Sequence, residues 1–322
     1  MPYLLFISVP FTMATFFVYI LIPDLRNLHG KCLLCYLVSL VIFQPLFGWI
    51  YINDDRYVKP LPCKLVGYTT YFASQSVFLW LSVISFDLWW NFSEFKLPNK
   101  KTSGFMLSEK KRFIFYTIYA LGLSLLMTLL TLTMDYIPGI PKTFQPLMGV
   151  HMCFLQKEWN TRLFYFYLPQ FILCSVNILF FVLTAFKIRL LQIDLNKVMA
   201  QGENGKHQCR LQSEKENFNL FLRLFIVMGV IWFMESFSFL VDSESIYFFF
   251  FDVWNCLQGV LIFAFMVCKR RMFRLIKKRY QAIIKKSTAS SITTNSSSVT
   301  YATNNIALNQ MTAKRDKYTE KL

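Results

Sequence analysis

The side chains able to do chemistry in this sequence are few, and they are scattered. His29, His151 and His207 fall in three separate stretches between apolar runs, and no GxSxG, HExxH or GxxxxGK[ST] string occurs. No catalytic constellation can be built from them, which argues against an enzyme and implies no cofactor. Cys32 and Cys35 have CxxC spacing, but no second pair follows at zinc spacing, so both read as small packing residues. The chemistry that remains is that of polar groups inside apolar runs: Asp87, Asn177, Glu235, Asn255 and Gln258. Such groups are costly in hydrocarbon and turn toward a protein interior. Asn255 and Gln258 share one side of their run and could face Glu235, as a polar lock that rearranges on activation or as a static interhelical hydrogen bond. Asp87, beside Trp89 and Trp90, either helps dock a cytosolic partner or pairs with a basic residue of the stretch that follows.

The elements that must position these groups are membrane spans. Hydrophobic residues make up 55% of the chain and aromatics 18%, above what a soluble domain carries. Apolar runs lie near Leu4 to Ile22, Cys32 to Ile52, Leu65 to Trp90, Phe113 to Met134, Leu163 to Phe186, Leu220 to Val241 and Ile246 to Cys268. Each is long enough to cross a bilayer, where only helices or closed barrels satisfy the backbone. The expected fold is an all-α, seven-transmembrane helix bundle over 1–268. A juxtamembrane amphipathic helix is expected over 269–286, and a disordered Ser/Thr-rich tail over 287–322. Pro10, Pro45 and Pro169 can each kink a span.

Charge orients the bundle. Of the 34 Lys and Arg residues, 28 fall in the stretches 24–31, 91–112 and 187–223 and in the tail from Lys269. By the positive-inside rule that side is cytosolic and the amino end is outside. The net charge of +16 therefore reports topology and attraction to anionic lipid, and nucleic acid is not an expected partner. Cys268, at the membrane edge, reads as an unmodified thiol, with palmitoylation as the alternative. Asn91 and Asn295 head glycosylation sequons on the cytosolic side, where neither is expected to be used. On the oxidising outer face, Cys63 at the mouth of the third span and Cys153 in the following outer loop are expected to form a disulfide, with two unpaired thiols as the alternative.

A seven-span bundle tied by Cys63 and Cys153 resembles a G-protein-coupled receptor. The strings Asp24-Leu-Arg-Asn-Leu-His-Gly-Lys31, Phe78-Leu-Trp-Leu-Ser-Val-Ile-Ser-Phe-Asp87, Arg223-Leu-Phe-Ile-Val-Met-Gly-Val-Ile-Trp232 and Asn255-Cys-Leu-Gln-Gly259 narrow this. They are similar to the Methuselah-like receptors of insects, within the secretin-like class. Leu121-Gly122 departs from the Trp-Gly pair of that class. The resemblance implies a plasma-membrane receptor that carries an extracellular, peptide or protein signal to a heterotrimeric G protein. Lys110, Lys111, Arg112 and Arg223 would then lie on the G-protein face, or serve only orientation and headgroup binding. Such receptors carry a disulfide-bonded ectodomain before the first span, and the sequence here implies a form lacking it. A truncated, non-signalling regulator of full-length relatives is the alternative, with a transporter third.

Overall fold

The computed structural model describes residues 2–53, 60–93, 108–150, 152–156, 158–199, 253–254, 256–268, 272, 276–277 and 281. Among these the ordered elements are helices, and the one β-type pairing is an isolated bridge between Met148 and Met152. The helices are α1 (Pro2–Leu21), α2 (Leu28–Asn53), α3 (Pro60–Ser93), α4 (Glu109–Tyr136), α5 (Trp159–Arg162), α6 (Leu168–Met199) and α7 (Gln258–Met266). A π turn, Leu163–Tyr167, joins α5 to α6 without a break. Five stretches are long and apolar enough to cross a membrane: Tyr3–Leu21, Leu28–Asn53, Leu61–Ser93, Glu109–Tyr136 and Trp159–Leu191. They coincide with the first five expected spans. The expected sixth span lies outside the described residues, and α7 falls within the expected seventh. All of these helices belong to one compact unit, Met1–Lys269, and a second begins at Arg270.

Helix ends follow local chemistry. α2 starts four residues before the apolar run because Asn27 Oδ1 accepts the Gly30 amide at 2.8 Å, filling an otherwise orphaned donor. α3 starts early because Pro60 and Pro62 sit in the first turn, where the missing amide hydrogens had no helical partner anyway. α4 opens with Glu109, whose charge suits a helix N-terminus. Pro169 lacks the amide that would bond Tyr165, one turn back, and the backbone widens into the π turn there. Tyr71 of α3 donates its hydroxyl to the Tyr165 carbonyl at 2.7 Å instead.

α3 is the axis of the bundle. Its span is 83% buried against 11% for α4, and it packs on α2, α4 and α6. α1 packs on α2 and α7, along a seam whose levels are set by three contacts. The Gly259 amide donates to Ser8 Oγ at 2.7 Å, Phe11 meets Phe263 edge-on at 5.6 Å, and the Tyr19 hydroxyl lies 3.6 Å from Met266 Sδ. Gln44 Nε2 of α2 also donates to Ser8 Oγ, at 3.3 Å. A side chain at Gly259 would run into Ser8 and Thr12, so the glycine is what admits α7 this close. Gly259→Val is expected to lower stability by about 1–3 kcal/mol through overpacking, read as a lower Tm of the detergent-purified chain, with Gly122→Val, whose Cβ would meet open space, nearly silent.

Candidate functional site

The bundle concentrates its charge at the end where α3 finishes and α4 begins. Asp87 is fully buried, and a carboxylate in that position must be paired and hydrogen-bonded. Four side chains supply this. Arg112 donates to Oδ1 at 2.8 Å and the Tyr116 hydroxyl donates to the same oxygen at 3.0 Å. Asn91 Nδ2 donates to Oδ2 at 3.3 Å, and His29 Nδ1 lies 3.4 Å from that oxygen. Asn91 lies one turn after Asp87, and Tyr116 one turn after Arg112, so each helix presents two members of the cluster on one face. Arg112 also donates to Asn91 Oδ1 at 3.2 Å and stands 5.8 Å over the Trp90 ring. The cluster ties α2, α3 and α4 together.

Sequence reasoning assigned Asp87 two roles, and the structure supplies the partner for the second, a basic residue from the stretch after α3. Arg112, expected either to contact a cytosolic partner or to serve only orientation and headgroup binding, is turned inward, its side chain only 14% exposed. Helix α4 begins before it, which aims its guanidinium at α3. Lys110 and Lys111, one and two residues earlier, are exposed. His29 was placed in a loop and lies in the first turn of α2, buried. It was missed with Asn91 and Tyr116, although the one-turn spacings from Asp87 and Arg112 would have found the latter two. The carboxamide of Asn91 is held in this network, which takes up the group its sequon would offer.

The other proposed polar set is not assembled around Asp87. Gln258 is buried and donates Nε2 to the Tyr36 hydroxyl of α2 at 3.1 Å, two turns from His29. Glu235, Asn255 and Arg223 lie outside the described residues. Cys268 is a free, exposed thiol.

At the opposite end Cys63 and Cys153 form a disulfide, their Cα atoms 4.8 Å apart and 90 residues distant in sequence. Cys153 stands against Gly67, two turns into α3, where any Cβ would collide with its carbonyl. Phe154 sits between Phe47 at 5.8 Å and Phe166 at 5.5 Å, edge-on to both. Within the loop the Gly149 amide donates to the Met152 carbonyl at 2.8 Å, with Gly149 at φ +75°, a conformation glycine adopts without strain. Thr161 Oγ1 donates to the Thr143 carbonyl at 3.0 Å. The described residues between α4 and α5 are therefore held by one covalent bond and an aromatic wedge.

Against known proteins, no family model matches the chain, but individual relatives do. It is 36% identical over 285 residues to the G-protein coupled receptor Mth2 of Drosophila simulans, covering 87% of this chain and 51% of that one. The chain is a homologue of the Methuselah receptors. The G-protein coupled receptor Mth of Drosophila melanogaster is 33% identical over 270 residues, 82% of this chain and 50% of its own. "Probable G-protein coupled receptor Mth-like 10" of the same species is 35% identical over 293 residues, 87% of this chain and 49% of its own. The chain spans about half the length of the curated Methuselah relatives it matches. Together with the five long apolar helices, this makes it a multi-pass membrane protein.

Breaking the Asp87 cluster from one side leaves a buried charge unpaired. Arg112→Gln is expected to cost about 3–5 kcal/mol, while Asp87→Asn combined with Arg112→Gln recovers most of the loss. Thermal unfolding of the four proteins of this cycle measures the coupling, and additive losses would show that the pair is not the organising contact.

Proposed function

We propose that the chain is the transmembrane part of a Methuselah-type G-protein-coupled receptor in the plasma membrane, with seven spans, the amino end outside and the tail in the cytosol. The observation that carries the reading is the relationship to receptors of that name over more than four-fifths of the chain. The lopsided distribution of 28 of 34 basic residues supports the orientation, since the Asp87 end then faces the cytosol and the disulfide end the exterior. An extracellular peptide or protein acts at the disulfide end and a heterotrimeric G protein at the other, contacted by the exposed Lys110 and Lys111 and by Arg223. Glu235 with Asn255 and Gln258 forms the intramembrane switch. The expected amphipathic segment 269–286 and tail 287–322 lie largely outside the described residues, and Cys268, an exposed thiol at the membrane edge, is available for palmitoylation.

Energetic scale decides what the Asp87 cluster does in such a receptor. A ligand that drives a two-state equilibrium from 1:99 to 99:1 must discriminate between the states by about 5.5 kcal/mol. Breaking a buried ion pair would consume about 3–5 kcal/mol of that. The cluster therefore stays intact in both states and moves as one body, joining the ends of α2, α3 and α4, while the other spans shift against it.

The test is second-messenger output at matched surface display, for the 322-residue chain alone and fused behind a relative's extracellular domain. Output is expected from at least one form, falling several-fold in the Lys110→Glu, Lys111→Glu double variant. Display without output from either form, across several G-protein classes, would count against the reading and favour a non-signalling partner of full-length receptors.

A further inference from the structure

One carboxylate outside the Asp87 cluster is left incomplete. Asp135, in the last turn of α4 at the disulfide end, accepts a hydrogen bond on Oδ2 from the Tyr68 hydroxyl at 2.9 Å. Its other oxygen, Oδ1, is buried and among the described residues has no hydrogen-bond partner. Among the described residues it makes no ion pair, and the last turn of α4 contains no basic residue. Lys64, one turn before Tyr68 on α3, is directed elsewhere, with Nζ 3.4 Å from the Tyr136 hydroxyl and 5.2 Å from the centre of that ring.

Apart from Lys64, the charges and dipoles around Asp135 have one sign. The carboxyl end of a helix carries partial negative charge on its unpaired carbonyls, which makes it an unfavourable place for an added anion and a favourable one for a cation. Aromatic rings beside it strengthen that preference. Tyr165, on the π turn, lies within electrostatic reach of the same carboxylate. Asp135 and Tyr68 are each only partly buried and Tyr136 is well exposed, so the pair lies at the surface of the bundle and not in its core.

We propose that Asp135 and Tyr68 form a binding site for a cation that carries N–H groups, a primary ammonium or a guanidinium. The orphaned Oδ1 selects this class, because it needs a donor as well as a positive charge, and a quaternary ammonium offers only the charge. Two sources carry the chemistry: a soluble ligand with an amine or a basic side chain, and the ethanolamine headgroup of a lipid. The site is independent of whether the chain couples to a G protein.

The experiment uses the whole chain in phosphatidylcholine nanodiscs, whose headgroup has no N–H, and follows Tm by intrinsic fluorescence. Agmatine is expected to raise Tm saturably by about 2–4 °C, with tetramethylammonium at equal ionic strength giving no saturable shift. Asp135→Glu retains the agmatine shift and Asp135→Asn loses it. Should the lipid be the source, discs containing phosphatidylethanolamine raise Tm unaided and blunt the agmatine response. Agmatine indistinguishable from tetramethylammonium in the unaltered protein, with no difference between the two lipids, would overturn the proposal even if both variants failed to fold. So would an Asp135→Asn protein that responds like the parent.

Discussion

A carboxylate without water must find its stabilisation in the protein, and at Asp87 that requirement organises one whole end of the bundle. Both oxygens are engaged, and the groups that engage them come from three helices. Satisfying the charge therefore fixes where α4 begins, which way Arg112 points and how the first turn of α2 is held. Each of these would be arbitrary if Asp87 were a leucine. Burying an ion pair gains little over apolar packing, so the cluster's value lies in specifying one arrangement of three helix ends.

The same rule, that polar groups in an apolar solvent must be answered from within, explains the less regular features. Pro169 removes a backbone donor, and the bundle responds with a π turn and a hydroxyl from the neighbouring helix. Gly259 lets α7 approach until its own amide reaches Ser8, which also takes a hydrogen bond from Gln44, so one serine joins three helices. These contacts are side chain to backbone or side chain to side chain between sequence-distant residues, the kind of pairing that periodicity cannot reveal.

What was legible in the sequence follows from that distinction. Apolar run length located five helices, because spanning hydrocarbon is a property of a continuous segment. The disulfide was legible because Cys63 and Cys153 were the cysteines left on one side once the runs were set. Helix starts were misplaced toward the apolar residues, since capping by Asn27 and a leading Glu109 extend helices into polar sequence. That error hid His29 and turned Arg112 the wrong way: a residue read as loop is assumed to face solvent, whereas one on an early helical turn has a direction. The pairing of Gln258 with Tyr36 depends on tertiary register and had no local signal.

Helix α3 carries both ends of the molecule, with Cys63 near its start and Asp87 near its finish, 24 residues and so about 36 Å apart along the axis. It is the most buried of the five long helices, and a packed helix does not shorten or bend cheaply, so a change at the disulfide end reaches the Asp87 end as a movement of α3 together with what is bound to it. Its contacts with α2 and α4 are locked by the ion-pair cluster, and Ser76 adds a hydroxyl bond to Ser124 of α4 at 3.0 Å. On α6, Gln170 and Asn177 are fully buried, and among the described residues their amide groups have no hydrogen-bond partner. Each unmade bond is a standing cost that a shift in packing can relieve, as is the one at Asp135 Oδ1 on α4, whereas pulling α3 or α4 away from the Asp87 ion pair can only add cost. The end of the bundle that holds the Asp87 cluster is thus the costliest to rearrange, because the hydrogen bonds on that carboxylate would have to be given up.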